Sequence, residues 1–266
     1  MTNMGGLVDS HCHLDYLARQ GDLAAVLSRA RGAGVRGMLT IGTKLRDFDA
    51  VRKIAEDNPD VVCSVGIHPH EAGVEETDVA RLVDLASHPK VVGIGETGLD
   101  YFYDKSPRAA QIERFRTHLA AARATGLPVI VHTRDADEDT ATLLEAAAGQ
   151  GPLAGVLHCF TSSLELARRA LRLGFYISIS GIVTFKNAEA LRATVREIPL
   201  DRLLVETDAP YLAPVPVRGR VCEPAFVAHT AAFVAGLKQV APHELAAATT
   251  RNFRALFARA RFADAA

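Results

Sequence analysis

The stretch GIGETGLDYFYDKSP, residues 93–107, decides between two architectures for this chain. Its glycines follow the spacing G-x-G-x-x-G, which marks the dinucleotide-binding turn of an open, doubly wound α/β sheet. That turn leads directly into a helix, whereas here Glu96 lies inside the motif and a loop follows it. We therefore interpret the glycines as tight turns at the end of a strand that carries a glutamate.

Seven other short apolar runs accompany this strand along the chain. The eight candidate strands are GLVDSH (6–11), VRGMLTIG (35–42), VVCSVGIHP (61–69), VVGIGETG (91–98), LPVIVHT (127–133), GVLHCFTS (155–162), FYISISG (175–181) and LLVETDAP (203–210). Runs of Val, Ile and Leu without clean alternation are typical of strands covered on both faces, which predicts a parallel sheet.

The segments between these strands have helical patterns. In the clearest, residues 106–126, Ser106 can cap the helix, Pro107 suits its first turn and Gly126 ends it. Weaker patterns cover residues 22–31, 46–57, 135–148, 163–173 and 187–197, and a longer helical tail follows Glu223. Repeated strand-helix units without a linker predict an α/β fold with one domain over residues 1–266, a closed (β/α)8 TIM barrel.

The composition excludes several classes of protein. The 266 residues are 48% hydrophobic and 23% charged, which is typical of a globular domain and not of a disordered chain. A net charge of −1 provides no overall positive field, so any contact with nucleic acid must be local. The chain starts without a leader pattern, and no run approaches the ~20 apolar residues of a membrane span. We expect a cytoplasmic protein with no membrane association and no obligate protein partner.

The four cysteines form no C-x-x-C pair, which predicts reduced thiols and not a zinc knuckle. Cys12 and Cys159 each follow a histidine, and neighbours on a strand face opposite sides of the sheet. We expect both thiols to face the packed outer side.

Polar side chains stand at the ends of most of the candidate strands. They are His11 and His13 at strand one, His68 and His70 at strand three, Glu96 at strand four, His132 at strand five, His158 at strand six, and Glu206 and Asp208 at strand eight. Active sites of (β/α)8 barrels lie at this end because the βα loops open there. The repetition of the same ligand types therefore indicates a metal site.

His11 and His13 are predicted to bind one ion together. Residues two apart on a strand share a face and lie roughly 6–7 Å apart along it, so both imidazoles can reach one cation. Strand eight neighbours strand one in a closed barrel, which makes Asp208 the predicted third ligand.

Glu96, His132 and His158 are predicted to hold a second cation. A carboxylate on strand four can bridge two metals at about 3.5–4 Å, where they would share an activated water. Nitrogen and oxygen ligands suit Zn²⁺, Mn²⁺ or Fe²⁺ and do not exclude Mg²⁺. Asp208 can also take or pass the proton of the water.

The chain resembles the TatD-type metal-dependent hydrolases and deoxyribonucleases of the amidohydrolase-like superfamily. The stretches that carry the resemblance are DSHCHLD, GIHPHEA, GETGLDYF, HTRDA, GVLHCFTSS, ETDAPYLAP and RGRVCEP, which cover the chain from residue 9 to 224, and TTRNFRALF near the end of the chain. The resemblance implies a (β/α)8 fold, two divalent cations and cleavage of phosphodiester bonds in DNA. It implies metal roles for His11, His13, Glu96, His132, His158 and Asp208.

The chain departs from the family pattern at two places. Val221 and Cys222 stand where the family usually has Arg-Asn, and FTSS has a serine where glycine is common. Neither place is a predicted ligand. The first lies on the loop after strand eight, so substrate preference transfers less safely than metal binding.

Substrate contacts are predicted for four further residues. A phosphodiester needs positive charge or donors near its non-bridging oxygens. His68, His70, Arg134 and Arg218 are the candidates, and His68 joins Asp208 and Glu96 as a catalytic candidate.

Other residues are predicted either to support the site or to have no role in it. Glu206 is expected to support a metal ligand or His11. Tyr101, Phe102 and Tyr103 can wall the pocket, stack a base or simply pack. The histidines away from the strand ends are read as surface or structural, namely His88, His118, His229 and His243.

The predicted function is a two-metal deoxyribonuclease that acts on DNA strand ends or short single strands. One alternative is an aminoacyl-tRNA deacylase or a small ester or amide hydrolase on the same bimetal site, which the near-neutral charge favours. The other is a barrel that binds metal without catalysis, against which the full set of six ligands argues.

Overall fold

The computed structural model describes residues 6–262, in which strands and helices alternate. The strands are β1 (Leu7–Cys12), β2 (Val35–Thr40), β3 (Val61–Val65), β4 (Val91–Asp100), β5 (Val129–Arg134), β6 (Gly155–Leu157), β7 (Tyr176–Ile179) and β8 (Leu203–Val205). The helices are α1 (Leu14–Gln20), α2 (Leu23–Gly32), α3 (Phe48–Asp57), α4 (Val79–Ala86), α5 (Arg108–Thr125), α6 (Asp137–Ala148), α7 (Leu164–Arg172), α8 (Glu189–Glu197), α9 (Val227–Lys238) and α10 (Pro242–Leu256).

The strands form one parallel sheet in chain order, from β1 to β8. The sheet closes at its carboxyl end, where Cys12 and Ala209 form a parallel bridge. There the His13 amide donates to the Ala209 carbonyl at 2.8 Å, and the Asp208 amide donates to the His11 carbonyl at 2.9 Å. The predicted single-domain (β/α)8 TIM barrel is confirmed, and the open doubly wound sheet is excluded.

Several elements differ from the sequence-based expectations. The prediction missed α1 and α4, which have 7 and 8 residues and are too short for a clear helical period. The predicted tail is two helices, α9 and α10. Strands β6 and β8 have only three residues each, and the segments that follow them contain Cys159 and Asp208 with positive φ angles of 42° and 59°, which lie outside the extended region.

The barrel interior is closed by packing from the C-terminal helix. One apolar cluster takes a residue from each strand, and it also includes Phe253 and Leu256 of α10 and Phe257, which directly follows that helix. The strand residues are Val8, Leu39, Val62, Val92, Ile130, Val156, Tyr176 and Leu204. Because these apolar side chains fill the interior, the barrel is not an open pore. The candidate site residues therefore lie at the carboxyl end of the strands.

The register of β1 directs His11 into the barrel. Ser10 already points inward, because its hydroxyl meets that of Ser178 on β7 at 2.9 Å. Strict alternation would then turn His11 outward. An irregular register between Asp9 and Cys12 changes this phase, so that His11 also faces the interior.

We expect Gly98→Ala to destabilise the barrel. Gly98 on β4 has a φ of +135°, and an added β-carbon would overlap the carbonyl oxygen of its β5 partner His132. A forced φ and an overpacked contact each cost about 1–3 kcal/mol, so the free energy of unfolding should fall by about 2–5 kcal/mol in a denaturant titration.

Gly236→Ala is the matched control for this variant. Gly236 is an exposed residue of α9, and a β-carbon there would meet open space. The substitution should be neutral or stabilise the protein by up to about 1 kcal/mol. Equal unfolding free energies for the two variants would contradict the strain assigned to Gly98.

Candidate metal centre and active site

A cavity of about 470 Å³ opens at the carboxyl end of the barrel. Its wall includes most of the residues that the sequence predicted for the site. They are His13, His68, His70, Glu96, His132, Arg134, His158 and Asp208. The buried His11 lies directly behind this wall, against Glu96 and Asp208.

The first group of ligands forms around His11 and His13. His11 Nε2 lies 3.4 Å from Glu96 Oε2 and 3.8 Å from Asp208 Oδ1. His13 Nε2 lies 3.3 Å from the same Asp208 oxygen and 4.0 Å from Glu96 Oε2. Strands one, four and eight thus bring their polar ends together as the sequence predicted.

The second group forms around the other oxygen of Glu96. Glu96 Oε1 lies 2.7 Å from His158 Nε2, 3.2 Å from His132 Nδ1 and 3.3 Å from His68 Nε2. His68 was expected on the substrate side, but here it is as close to Glu96 as His132 is. The two carboxylate oxygens therefore face two separate sets of imidazoles.

The charge state of the site suits cation binding. Burial alone would raise the pKa of Glu96, but His158 and His68 hold it well below its usual range. Burial lowers the pKa of His68 to about 4, and burial with the neighbouring His158 lowers that of His11. Glu96 is therefore ionised at neutral pH, and both imidazoles keep a free lone pair.

The remaining histidines have raised pKa values. Against the effect of burial, Asp208 raises the pKa of His13, Asp100 that of His132, and Glu96 that of His158. The nearby carboxylates thus stabilise the protonated form of these imidazoles. A cation that binds to the imidazole nitrogens displaces those protons.

Unpartnered buried atoms converge in this site. Within residues 6–262, His11 Nδ1 and Nε2, His13 Nδ1 and Glu96 Oε2 are buried without a hydrogen-bond partner. Three sets of side chains place their donor atoms within 4.8 Å of one another: His11, His158 and Asp208; His11, His13 and Glu96; His68, Glu96 and His132. Mixed imidazole and carboxylate donors in this arrangement fit divalent cations.

Asp100 is a buried carboxylate that the sequence reasoning missed. Its Oδ2 accepts from His132 Nε2 at 3.1 Å and from His70 Nε2 at 2.9 Å. Because a carboxylate only accepts, His132 carries its proton on Nε2, which leaves the Nδ1 lone pair directed toward Glu96. Although Asp100 is buried, these two imidazoles hold its pKa well below the usual range. Asp100 could have been predicted from the sequence, because it lies four residues after Glu96 and therefore on the same strand face.

Glu206 supports His158 and not His11. Its Oε1 accepts from the Cys159 amide at 2.7 Å and lies 3.3 Å from His158 Nδ1. This contact leaves His158 Nε2 directed at Glu96. The expectation that Glu206 supports a predicted ligand is met, but through a different histidine.

Helix α5 holds the ends of β3 and β4 through two buried polar side chains. Gln111 accepts from the Asp100 amide at 2.8 Å and donates to the Asp100 carbonyl at 3.2 Å. His118 Nε2 accepts from the Ile67 amide at 3.0 Å, next to His68. His118 was read as surface or structural, and its full burial makes it structural.

The substrate-side candidates occupy different positions. Arg134 lines the cavity, with its guanidinium 4.2 Å from the centre of the Phe102 ring. His70 also lines it, bound to Asp100. Arg218 is outside the cavity wall and packs 3.7 Å over the Phe185 ring. The sequence reasoning missed Lys44 and Lys105, whose positively charged side chains also line the cavity.

Cys159 corrects one expectation about the thiols. Cys12 is buried in the outer core as predicted, but Cys159 lines the cavity, and its Sγ lies 3.2 Å from Ser180 Oγ. Its positive φ turns the side chain away from the alternation of a strand. Burial raises the pKa of this thiol well above its usual value, so it is not a ready nucleophile.

The chain is similar to known proteins over most of its length. The sequence model of the family described as TatD related DNase matches residues 8–258. The chain is 48% identical over 256 residues to the Escherichia coli K12 protein named uncharacterized metal-dependent hydrolase YcfH, covering 94% of this chain and 95% of that one. It is 41% identical over 244 residues to the Rahnella protein named 3'-5' ssDNA/RNA exonuclease TatD, covering 89% and 92%.

A solved structure gives the same result for the fold. The crystal structure of the TatD homologue YJJV from Escherichia coli K12 has a TM-score of 0.86 and 30% identity, covering 97% of this chain and 99% of that one. Within residues 6–262, no helix has the length and apolar character that a membrane span requires.

We expect Asp100→Asn to weaken metal binding and activity. An amide provides His132 and His70 with a neutral partner and can present its NH₂ group to them, so both rings lose their fixed orientation. Loss of a contact that orients a metal ligand typically lowers metal affinity or activity 10- to 100-fold. Titration calorimetry with Mn²⁺ measures the affinity, and hydrolysis rates measure the activity. Asp104→Asn, an exposed change on the same loop, is the control and should leave both unchanged. Wild-type Mn²⁺ affinity in Asp100→Asn would refute the orienting role.

The buried His118 predicts a specific dependence of stability on pH. Burial lowers its pKa from 6.5 to about 4, so below pH 6.5 the unfolded chain binds a proton that the folded chain does not. The free energy of unfolding should therefore fall from pH 6.5 to pH 4 with a contribution of about 1.4 kcal/mol per pH unit.

His118→Gln removes this contribution and should flatten the profile in that window. His243→Gln, at an exposed position of α10, is the matched control and should keep the wild-type profile. Parallel wild-type and His118→Gln profiles, measured by denaturant titration at each pH, would refute the assignment.

Proposed function

Because this chain belongs to the TatD related DNase family and is a metal-dependent hydrolase, we propose that it cleaves phosphodiester bonds at the ends of single-stranded DNA with two divalent cations. The observation that carries the proposal is the position of Glu96. Its two oxygens face different imidazoles, which is what a carboxylate shared by two cations requires.

We assign the ligands of the two cations from the two groups of side chains. His11, His13 and Asp208 would hold the first cation, and His132 and His158 the second, with Glu96 shared. Zn²⁺, Mn²⁺ or Mg²⁺ are the candidates. His68 lies against Glu96 beside the second group and is free to contact substrate or the second cation.

When bound, the cations would lower the pKa of a water and offset negative charge on the phosphate. Asp208 is the residue that receives the proton. Burial raises its pKa, but His13 and His11 hold it below the usual range, so the carboxylate is ionised. Its side chain is 14% exposed to the cavity, which lets the proton pass to solvent.

The cavity wall supports a nucleic-acid substrate. Lys105 and Arg134, which form no ion pair within residues 6–262, provide local positive charge to a chain whose net charge is −1, whereas Lys44 is paired with Glu71 at 3.3 Å. A concave mouth of this size admits a strand end more readily than a continuous duplex. The name of the Rahnella relative refers to single-stranded substrates and to 3'-5' action by that protein.

Chelation and one substitution test the proposal. EDTA should abolish cleavage of a labelled single-stranded oligodeoxynucleotide, and Mg²⁺, Mn²⁺ or Zn²⁺ should restore it. Asp208→Asn should lower kcat by about 10²- to 10⁴-fold because it loses a metal ligand and the proton acceptor, while thermal unfolding shows a folded protein. Asp201→Asn, an exposed change at a distance from the cavity, is the control.

Two results would contradict the proposal. Nuclease activity that persists in metal-stripped protein would exclude the two-cation site as its origin. The second result is a wild-type protein that hydrolyses esters or amides but cleaves no oligonucleotide. If His132→Ala abolishes that hydrolysis, the deacylase or small-ester alternative on the same residues is favoured.

A further inference from the structure

Two exposed aromatic rings stand beside the catalytic cavity. Phe102 is 55% exposed and Tyr103 is 52% exposed, and their rings meet edge to face at 4.9 Å. The amides of both residues donate to Asp100 Oδ1, at 3.1 and 2.9 Å. The same carboxylate holds His70 and His132, so the aromatic loop is fixed relative to the candidate metal centre.

A second depression, here called the Phe102 groove, continues from the cavity past these rings. It has a volume of about 830 Å³ and is lined by Phe102, Arg134, Asp135, Asp137, Thr161, Ser162, Ser163 and Ile182. Arg134, Thr161 and Ile182 also line the catalytic cavity. A ligand that enters the cavity can therefore extend into the groove without leaving the surface.

Arg134 stands at the junction between the cavity and the groove. Its guanidinium lies 4.2 Å from the Phe102 ring centre and 4.9 Å from that of Tyr103. Within residues 6–262 this side chain forms no ion pair, so its charge is available to a ligand. A guanidinium over an aromatic ring can still donate from its N–H groups to a phosphate oxygen.

The rest of the groove suits an uncharged, flat group. Asp135 and Asp137 would repel a phosphate, but carboxylates accept hydrogen bonds from the amino groups of bases. Thr161 and Ser162 add hydroxyls that can donate or accept. Phe102 is 55% exposed, and the part of its ring that Arg134 does not cover offers a stacking surface that any base can use.

We propose that the Phe102 groove is a base-binding subsite for the nucleotide next to the one in the catalytic cavity. The neighbouring base stacks on Phe102, and Arg134 contacts the phosphate that joins the two nucleotides. This inference rests on the proposed nuclease function and deepens it. It makes the enzyme favour strands with an unpaired base at that position, because a paired base cannot leave its stack to reach the ring.

A fluorescent base analogue tests the stacking directly. The probe is a short single-stranded oligodeoxynucleotide with phosphorothioate linkages that resist cleavage and 2-aminopurine next to the terminal nucleotide. Stacking on Phe102 should quench its fluorescence when wild-type protein is added. Phe102→Ala should remove the quench and weaken binding about 5- to 100-fold. Phe102→Trp, which keeps an aromatic face, should restore both.

The matched control is Phe233→Ala, which removes a 37% exposed phenylalanine of α9 outside both lining sets. On cleavable oligonucleotides, Phe102→Ala should raise KM about 5- to 100-fold with a smaller effect on kcat. Phe233→Ala should match the wild type in both constants. The same KM and kcat measurements on RNA oligonucleotides of the same sequence compare the two variants on a ribose backbone.

The outcomes separate the inference from the proposed function. If the wild type cleaves oligonucleotides and Phe102→Ala behaves like Phe233→Ala in quenching and KM, the subsite is refuted while the nuclease stands. If the wild type cleaves no oligonucleotide and also fails to quench the probe, both are refuted. Quenching that depends on Phe102 supports the subsite whatever the rate of cleavage.

Discussion

The burial of the Glu96 carboxylate is the constraint on which the rest of the site depends. A buried negative charge is unstable unless positive or donor groups surround it. Here four imidazoles, from His11, His68, His132 and His158, lie within 3.4 Å of its two oxygens. Each comes from a different strand end, so the whole barrel must close with the right register to keep this one carboxylate paired.

The barrel closes at the same rim that carries the site. The hydrogen bonds between β1 and the segment after β8 join the backbone of His11 and His13 to that of Asp208 and Ala209. Three of the candidate ligands, His11, His13 and Asp208, are therefore also residues of the seam. On the opposite side, Gln111 of α5 fixes Asp100, which orients His132 and His70. Stability and site geometry are thus maintained by shared contacts.

The loop after β8 carries Val221 and Cys222, where we expect the chain to depart from the family pattern. Val221 is 59% exposed and Cys222 is fully buried, so only one of the two departures reaches the surface. Glu223 then binds Arg29 of α2 through both oxygens, at 2.6 to 2.9 Å. This ion pair anchors the loop beside the two residues, one of which is exposed and the other buried.

The sequence by itself determined the order of the eight strands, most of the helices and the polar residues at the ends of most strands, because hydrophobic period and ligand type are local properties. It placed His11, His13, Glu96, His132, His158 and Asp208 at one rim. Only the tertiary structure decided which carboxylate oxygen faces which imidazole. It also decided the inward phase of His11, the supporting roles of Asp100 and His118, and the cavity position of Cys159. These depend on irregular register, positive φ angles and packing between distant elements, which no local pattern encodes.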